Sequence, residues 1–442
     1  MEVVYKKIRY GVAYIGVVLG TAILTAGKLF MVPILVPLAA LFTSYIFLFP
    51  ESVVGFFYFG RPLFKAILFT QRDSIVFVLS LFILAVSAVG IWRKYKTFVF
   101  PVNIFTAGSI VLIIWALTCL MWTTDPMIPL RNSLIWVFEI MVPMFFAYIL
   151  ALRGLKIRNL TDHIILLSMV ILLISVAYKM MHMEMPFDRF SPVSNKVLYS
   201  RAMAFVFMFS IWLYDKPFYS TKIKILVAIL GIGGLYFLVL SATRAPFVFA
   251  VMLISFYILF VSRLSRKTKL IIWLISVILA FIFLKDSFLM MRISVLNVKK
   301  GIEVSSAFRA IVWKTALRHL KDVPIYGLGP GEFKRFMPQY LKYLIQPHCN
   351  ILGFYYETGL PGLILFLSIM GNVFWNSIRL YLKLRKLPPD DPFYLLDFAL
   401  LFWTFGILNN LINDSFGGGT FEWMSLGIMQ GVYDYWYYEK RK

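Results

Sequence analysis

Apolar residues run through this chain in blocks of about twenty, separated by short polar connections, from residue 10 almost to the end. A bilayer core is about 30 Å thick and takes roughly 20 mostly apolar residues in helical form. Blocks of that kind fall at residues 10–25, 29–49, 74–92, 98–122, 133–152, 164–183, 200–214, 223–241, 246–261, 270–284, 350–375, 393–411 and 422–435. The stretch 50–73 is also apolar but is interrupted by Arg61, Lys65 and Arg72. The expected fold is therefore all-α, a polytopic integral membrane protein with about 12 transmembrane helices, within a range of 12–14. The pattern divides one integrated membrane domain into an N-terminal bundle (residues 1–284), a large loop (285–349) and C-terminal membrane helices (350–442).

Composition agrees with the pattern. Of 442 residues, 61% are hydrophobic and 15% charged, with a mean hydropathy of +0.82. So few charged groups cannot cover a soluble protein of this length. The first apolar run leads into a second without a small-residue cleavage pattern, so no cleaved signal peptide is expected. The two cysteines, Cys119 and Cys349, fall where a stabilising disulfide is not expected.

The net charge of +23 sits in the connections and reports topology. One alternating set of connections (residues 93–96, 153–158, 216–224, 263–269, 379–386 and 440–442) holds 20 lysines and arginines. The short connections of the other set hold 5: Arg131, Arg189, Lys196, Arg201 and Arg244. The first set and the C-terminus are expected in the cytoplasm, and the second set faces outward together with the large loop. A basic balance of this kind suits contact with anionic membrane lipids. No nucleic-acid recognition motif accompanies it, and no nucleic-acid partner is expected.

The loop, about 60 residues long, is the one extramembrane segment large enough to hold structure. Residues 303–321 read as an amphipathic helix. Phe308, Ile311, Val312 and Leu320 follow helical spacing, Ser305 and Ser306 stand as caps, and Pro324 and Gly327 end it. Its apolar face is expected to turn toward lipid. Residues 326–333, with Gly327, Gly329 and Gly331, read as a turn region.

Candidate chemistry is set first by absences. No Asp-x-Asp occurs, and the histidines His163, His182, His319 and His348 are scattered without metal-ligand spacing, so no metal or cofactor is expected. Acidic residues within the spans are few, chiefly Glu139 and Glu357, which disfavours a carrier coupled to protons or sodium. What remains is a set of outward arginines, Arg201, Arg244 and Arg309, together with His348. Interfacial arginines commonly snorkel to lipid head groups, but guanidinium forks also suit a phosphate or diphosphate. Histidine is the side chain best placed to accept a hydroxyl proton near neutral pH. His319 is its competitor, but neighbours Arg318 and Lys321 and the apolar face suggest packing there. Glu357 lies nine residues after His348, as a supporting carboxylate, the partner of an arginine or half of a structural helix pair.

These residues together resemble the O-antigen ligase family, part of a larger superfamily that includes O-antigen and other polysaccharide polymerases. His348, Leu352, Glu357, Gly359 and Gly362 stand where the family has its histidine, leucine, glutamate and two glycines. Arg309 with Trp313, and Pro324 to Gly329 with Phe333, are similar to the stretch before that histidine. Ser241-Ala242-Thr243-Arg244 is similar to a Ser-x-Ser-Arg element, and Arg201 matches a further arginine. Cys349 departs from the usual Asn or Ser, with Asn350 as its possible substitute.

The resemblance implies a metal-independent, inverting glycosyltransferase with a GT-C-like fold in a bacterial inner membrane, its active site facing the periplasm. The implied donor is a glycan on undecaprenyl diphosphate, and the implied acceptor is lipid A–core or another glycolipid. His348 would be the catalytic base, Arg201, Arg244 and Arg309 would bind the donor diphosphate, and Glu357 and Asn350 would support them. A polymerase of the same superfamily is the near alternative; from another class, a transporter or flippase of lipid-linked glycans.

Overall fold

The computed structural model describes residues 50–55, 73–96, 101–123, 125–181, 196–241, 243–262, 264–285, 304–341, 347–413 and 419–438. The expected opening spans at 10–25 and 29–49, most of 50–73, and the first part of the large loop lie outside the described residues. Among the described residues the chain is helical and holds no strand. The long helices are α1 (Asp73–Tyr95), α2 (Ile104–Thr118), α3 (Met127–Leu152), α4 (Ile157–Met181), α5 (Lys196–Tyr214) and α6 (Thr221–Leu240). They continue as α7 (Arg244–Val261), α8 (Arg266–Lys285), α9 (Val304–Arg318), α10 (Asn350–Leu384), α11 (Asp391–Asn413) and α12 (Thr420–Tyr438). Eight described helices, α2 to α7 with α10 and α11, are long and apolar enough to cross a membrane, as in a polytopic membrane protein.

The chain groups into two compact units, each built from two separated stretches. The first takes residues up to Thr97 and Arg158–Ser294. Its tightest pair is α5 against α6. Gly231 faces Ser210, and a Cβ on Gly234 would stand 2.9 Å from the Phe207 backbone nitrogen. Small residues allow this backbone approach where hydrophobic driving force between helices is weak. The pairing is antiparallel, with 210 opposite 231 and 207 opposite 234, which sets Arg201 level with Leu240. At the other end, Lys216 is buried with its ammonium on the Tyr257 hydroxyl at 2.8 Å, near Lys222 and Lys224.

The second unit takes Phe98–Ile157 and Val295–Lys442. Gly427 and Gly431 bring α12 onto the backbone of α3 at Met144 and Tyr148. An aromatic core joins them: Trp136 packs on Trp423 at 6.1 Å and Phe354 at 6.4 Å, and Phe354 stacks on Phe366 at 4.1 Å. At one end, the buried Asp434 carboxylate accepts from Tyr148, Asn103 and Gln430 at 2.7, 2.8 and 3.0 Å. That end also carries Arg153, Lys156, Lys383, Arg385 and Lys386. The large loop covers the opposite end, where Trp122 at the close of the α2 segment donates to the Gly327 carbonyl at 3.0 Å.

The loop helix differs from expectation in both its limits and its orientation. Ser305 and Ser306 lie within α9, and the helix stops at Arg318 before a 3-10 turn, Leu320–Asp322. Its covered side carries Val312 and Ala316, both fully buried, with Trp313 and Leu320 beside them, against Phe333, Met337 and Tyr356. Ile311, expected on the apolar face, is instead 51% exposed. The packed face meets protein rather than lipid because Tyr356 and the short helices after Gly331 supply a partner that periodicity alone does not reveal. Each fully buried Phe or Met side chain here contributes roughly 1.5–3 kcal/mol.

Candidate active site

The helix that carries the glutamate is broken within its length. Pro361 has no N–H to give the Glu357 carbonyl, so the i to i+4 ladder fails there. Gly359 turns out of helical geometry, with φ +68° and ψ −170°. The helix thus splits into a short first piece up to Thr358 and a membrane-length piece from Leu360. Backbone polar groups exposed by such a break must be met by protein.

The loop meets them. Leu328 N–H donates to the Tyr356 carbonyl and Gly329 N–H to the Glu357 carbonyl, each at 2.9 Å, while Leu360 N–H donates to Ile325 at 2.8 Å. Trp115 Nε1 donates to the Thr358 carbonyl at 2.7 Å. Gly327 makes the close approach possible, since a Cβ there would overlap the Gly359 nitrogen. Residues 325–331, which overlap the turn that the sequence suggests at 326–333, are therefore a backbone splint across the break in α10. Their glycine spacing together with the Gly-Leu-Pro-Gly run at 359–362 is the signal that could have found it.

Glu357 is buried at the same point, and its Oε2 accepts from Gly331 N–H at 2.6 Å. Its partner is thus the loop backbone, and among the described residues no arginine pairs with it. A glutamine keeps an accepting oxygen there, so Glu357→Gln is expected to retain both fold and activity. Leucine leaves Gly331 N–H unmet and is expected to destabilise by about 1–3 kcal/mol, read as a lower thermal midpoint in detergent. An inactive but stable Glu357→Gln would instead assign the carboxylate to the chemistry.

His348 lies at the mouth of this assembly, half-buried, with φ +48°. A non-glycine residue in the left-handed region costs of order 1 kcal/mol and persists where its surroundings fix it. They do so from both sides. Trp313 Nε1 donates to the Pro347 carbonyl at 2.9 Å, and Cys349 takes the extended N-cap position of α10, with φ −154°. Arg309, half-buried, is one turn before Trp313 and so shares the face of α9 that meets Pro347. Asn350, the first residue of α10, is 3% exposed.

His319 is held differently. Its Nδ1 is 2.6 Å from Asp322 Oδ2, and its ring stacks on Tyr340 at 3.7 Å. That hydrogen bond holds the Asp322 carboxyl below its ordinary range. The loop is further tied to the turn before α3 by Arg335 on Asp125 at 2.8 Å, which lowers the Asp125 carboxyl in turn. Packing therefore accounts for His319.

The structure brings His348, Asn350, Arg309 and Glu357 into the second unit; Arg201 and Arg244 belong to the first. There Arg201 is buried on α5, level with the end of α6. Arg244 opens α7 directly after the turn, where Ser241 Oγ donates to Leu238 at 2.6 Å and Thr243 Oγ1 to Ser241 at 3.2 Å. The two arginines thus share one end of that unit, away from Lys216. Arg244 stands at a helix N-terminus, where the backbone dipole adds to its positive field. Among the described residues, no group of histidines, cysteines and carboxylates could hold a metal ion.

A comparison with curated proteins gives no match. A family model described as O-antigen ligase matches residues 226–367, a span that includes Arg244, Arg309, His348, Asn350 and Glu357 and begins after Arg201. The chain carries, over those residues, a domain of the O-antigen ligase family.

Proposed function

We propose that this protein is a membrane glycosyltransferase of the ligase type. It moves a glycan from undecaprenyl diphosphate to lipid A–core oligosaccharide at the periplasmic face of a bacterial inner membrane, without metal or cofactor and with inversion. The observation that carries this reading is the fixing of His348 in a left-handed conformation between Trp313 and α10, on a loop splinted into the break. Such rigidity has no use in a lipid anchor and suits a base that must meet one hydroxyl.

In the proposed reaction His348 takes the proton of an acceptor hydroxyl as its oxygen attacks the anomeric carbon. The bond from that carbon to the diphosphate oxygen breaks, and undecaprenyl diphosphate leaves with the electron pair. Charge grows on the departing oxygen, so guanidinium stabilisation from Arg201, Arg244 and Arg309 strengthens toward the transition state. The orientation is supported separately in each unit. The Arg201–Arg244 end of the first unit is opposite its lysine-bearing connection, and the His348 end of the second is opposite Arg153, Lys383 and Arg385.

Arg244→Ala is expected to weaken binding of the lipid-linked donor by about tenfold or more, the effect of losing one charge-assisted contact. Titrating purified protein with the undecaprenyl diphosphate-linked glycan checks this. Unchanged affinity would remove Arg244 from the donor site.

A further inference from the structure

Two open features meet beside His348. The side chain of Cys349 makes no capping hydrogen bond to α10. The first helical bond of α10 runs from Gly353 N–H to the Cys349 carbonyl at 2.9 Å, so Asn350, Ile351 and Leu352 have no intrahelical acceptor for their N–H groups. Asn350 is 3% exposed, and both its Nδ2 and its Oδ1 lack a hydrogen-bond partner among the described residues. A buried amide with no protein partner at either end calls for an explanation.

The chemistry of the orphaned atoms selects the ligand. A phosphate offers only acceptors. It would satisfy Nδ2 and the helix N–H groups but leave Oδ1 unmet. A hydroxyl both donates and accepts, and adjacent hydroxyls on a sugar ring meet the two ends of one planar amide. Asn350 is two residues from His348, on the helix that His348 leads into. We infer that Asn350, with the open first turn of α10, binds hydroxyl groups of the acceptor sugar next to the one that His348 deprotonates. This rests on the ligase reading above and adds a specificity-determining residue to it. Cys349 acquires a role by default: a capping Ser or Asp at that position would fill the first turn itself.

The test uses full-length protein in lipid nanodiscs, with saturating undecaprenyl diphosphate-linked glycan and varied lipid A–core. Asn350→Leu keeps the shape of the side chain and removes both polar ends. KM for lipid A–core is expected to rise about tenfold or more, with kcat and donor KM within about threefold. Thermal stability should stay close to that of the wild type, because leucine fills the same volume and no protein hydrogen bond is lost. A residue that only supports the fold would give the opposite, a lower midpoint with unchanged KM. Asn350→Ala, which fits any space that Asn occupies, gives the same comparison should leucine hinder folding. Normal transfer with an unchanged acceptor KM in both variants overturns this inference alone, as does a rise confined to donor KM. Absence of transfer by the wild type overturns this inference and the ligase reading together.

Discussion

His348→Ala is expected to lower glycan transfer by about 10²–10⁴-fold, the contribution of a positioned general base, while the protein inserts and purifies normally. The fold should tolerate the change. His348 is half-buried, and the backbone on either side of it is held through the Pro347 carbonyl and the N-cap of α10. Alanine is less at ease than histidine with φ +48°, so His348→Asn is the better control for the backbone. Asparagine enters the left-handed region readily and cannot act as the base. Both variants should lose transfer yet bind the lipid-linked donor as the wild type does. Ordinary turnover in His348→Asn would take the imidazole out of the reaction.

The largest structural effect is expected at Gly359. An added Cβ would overlap the Ile325 carbonyl oxygen and the Gly327 nitrogen, at a residue already in the left-handed region. Gly359→Ala must therefore push the loop off the helix break. The left-handed strain and the loss of the backbone bonds from Leu328, Gly329 and Leu360 together amount to roughly 3–5 kcal/mol. The variant should show a clearly lower thermal midpoint in detergent and little transfer, because His348 is held by the same loop. Gly371→Ala is the matched control, since a Cβ there meets nothing within 4 Å. It should be neutral or slightly stabilising. Equal midpoints for the two variants would mean that the splint does not hold the loop.

Much of this was legible in the chain. Apolar blocks of bilayer length overlap α1 to α8 and α10 to α12, because lipid forces helices wherever such blocks occur, although α4 begins at Ile157 rather than 164 and α10 runs on to Leu384 rather than 375. The helical period of residues 303–321 finds α9. The direction that α9 faces was not legible, since Val312 and Ala316 are covered by Phe333 and Tyr356, which are distant in sequence. The break in α10 was half legible. Gly359 and Pro361 announce it, but nothing local shows that Leu328 and Gly329 fill it. Spacing offers Glu357 as a supporting carboxylate, the partner of an arginine or a structural helix residue; its bond to Gly331 depends on a tertiary contact that spacing does not encode. His348 itself was visible because an ionisable residue at the foot of an apolar block needs a reason, and Asn350 was visible only as a neighbour.

The central claim is that the site joins a lipid-linked glycan to a glycolipid acceptor. The most direct measurement is product identity. Purified protein in nanodiscs receives undecaprenyl diphosphate-linked glycan with lipid A–core, or with a second portion of the lipid-linked glycan, and the products are separated by mass. The account predicts glycosylated lipid A–core with release of undecaprenyl diphosphate, and no product with His348→Ala. Elongation of the lipid-linked glycan in place of lipid A–core would make the protein a polymerase, and movement of the donor across a membrane without any new glycosidic bond would contradict the account altogether.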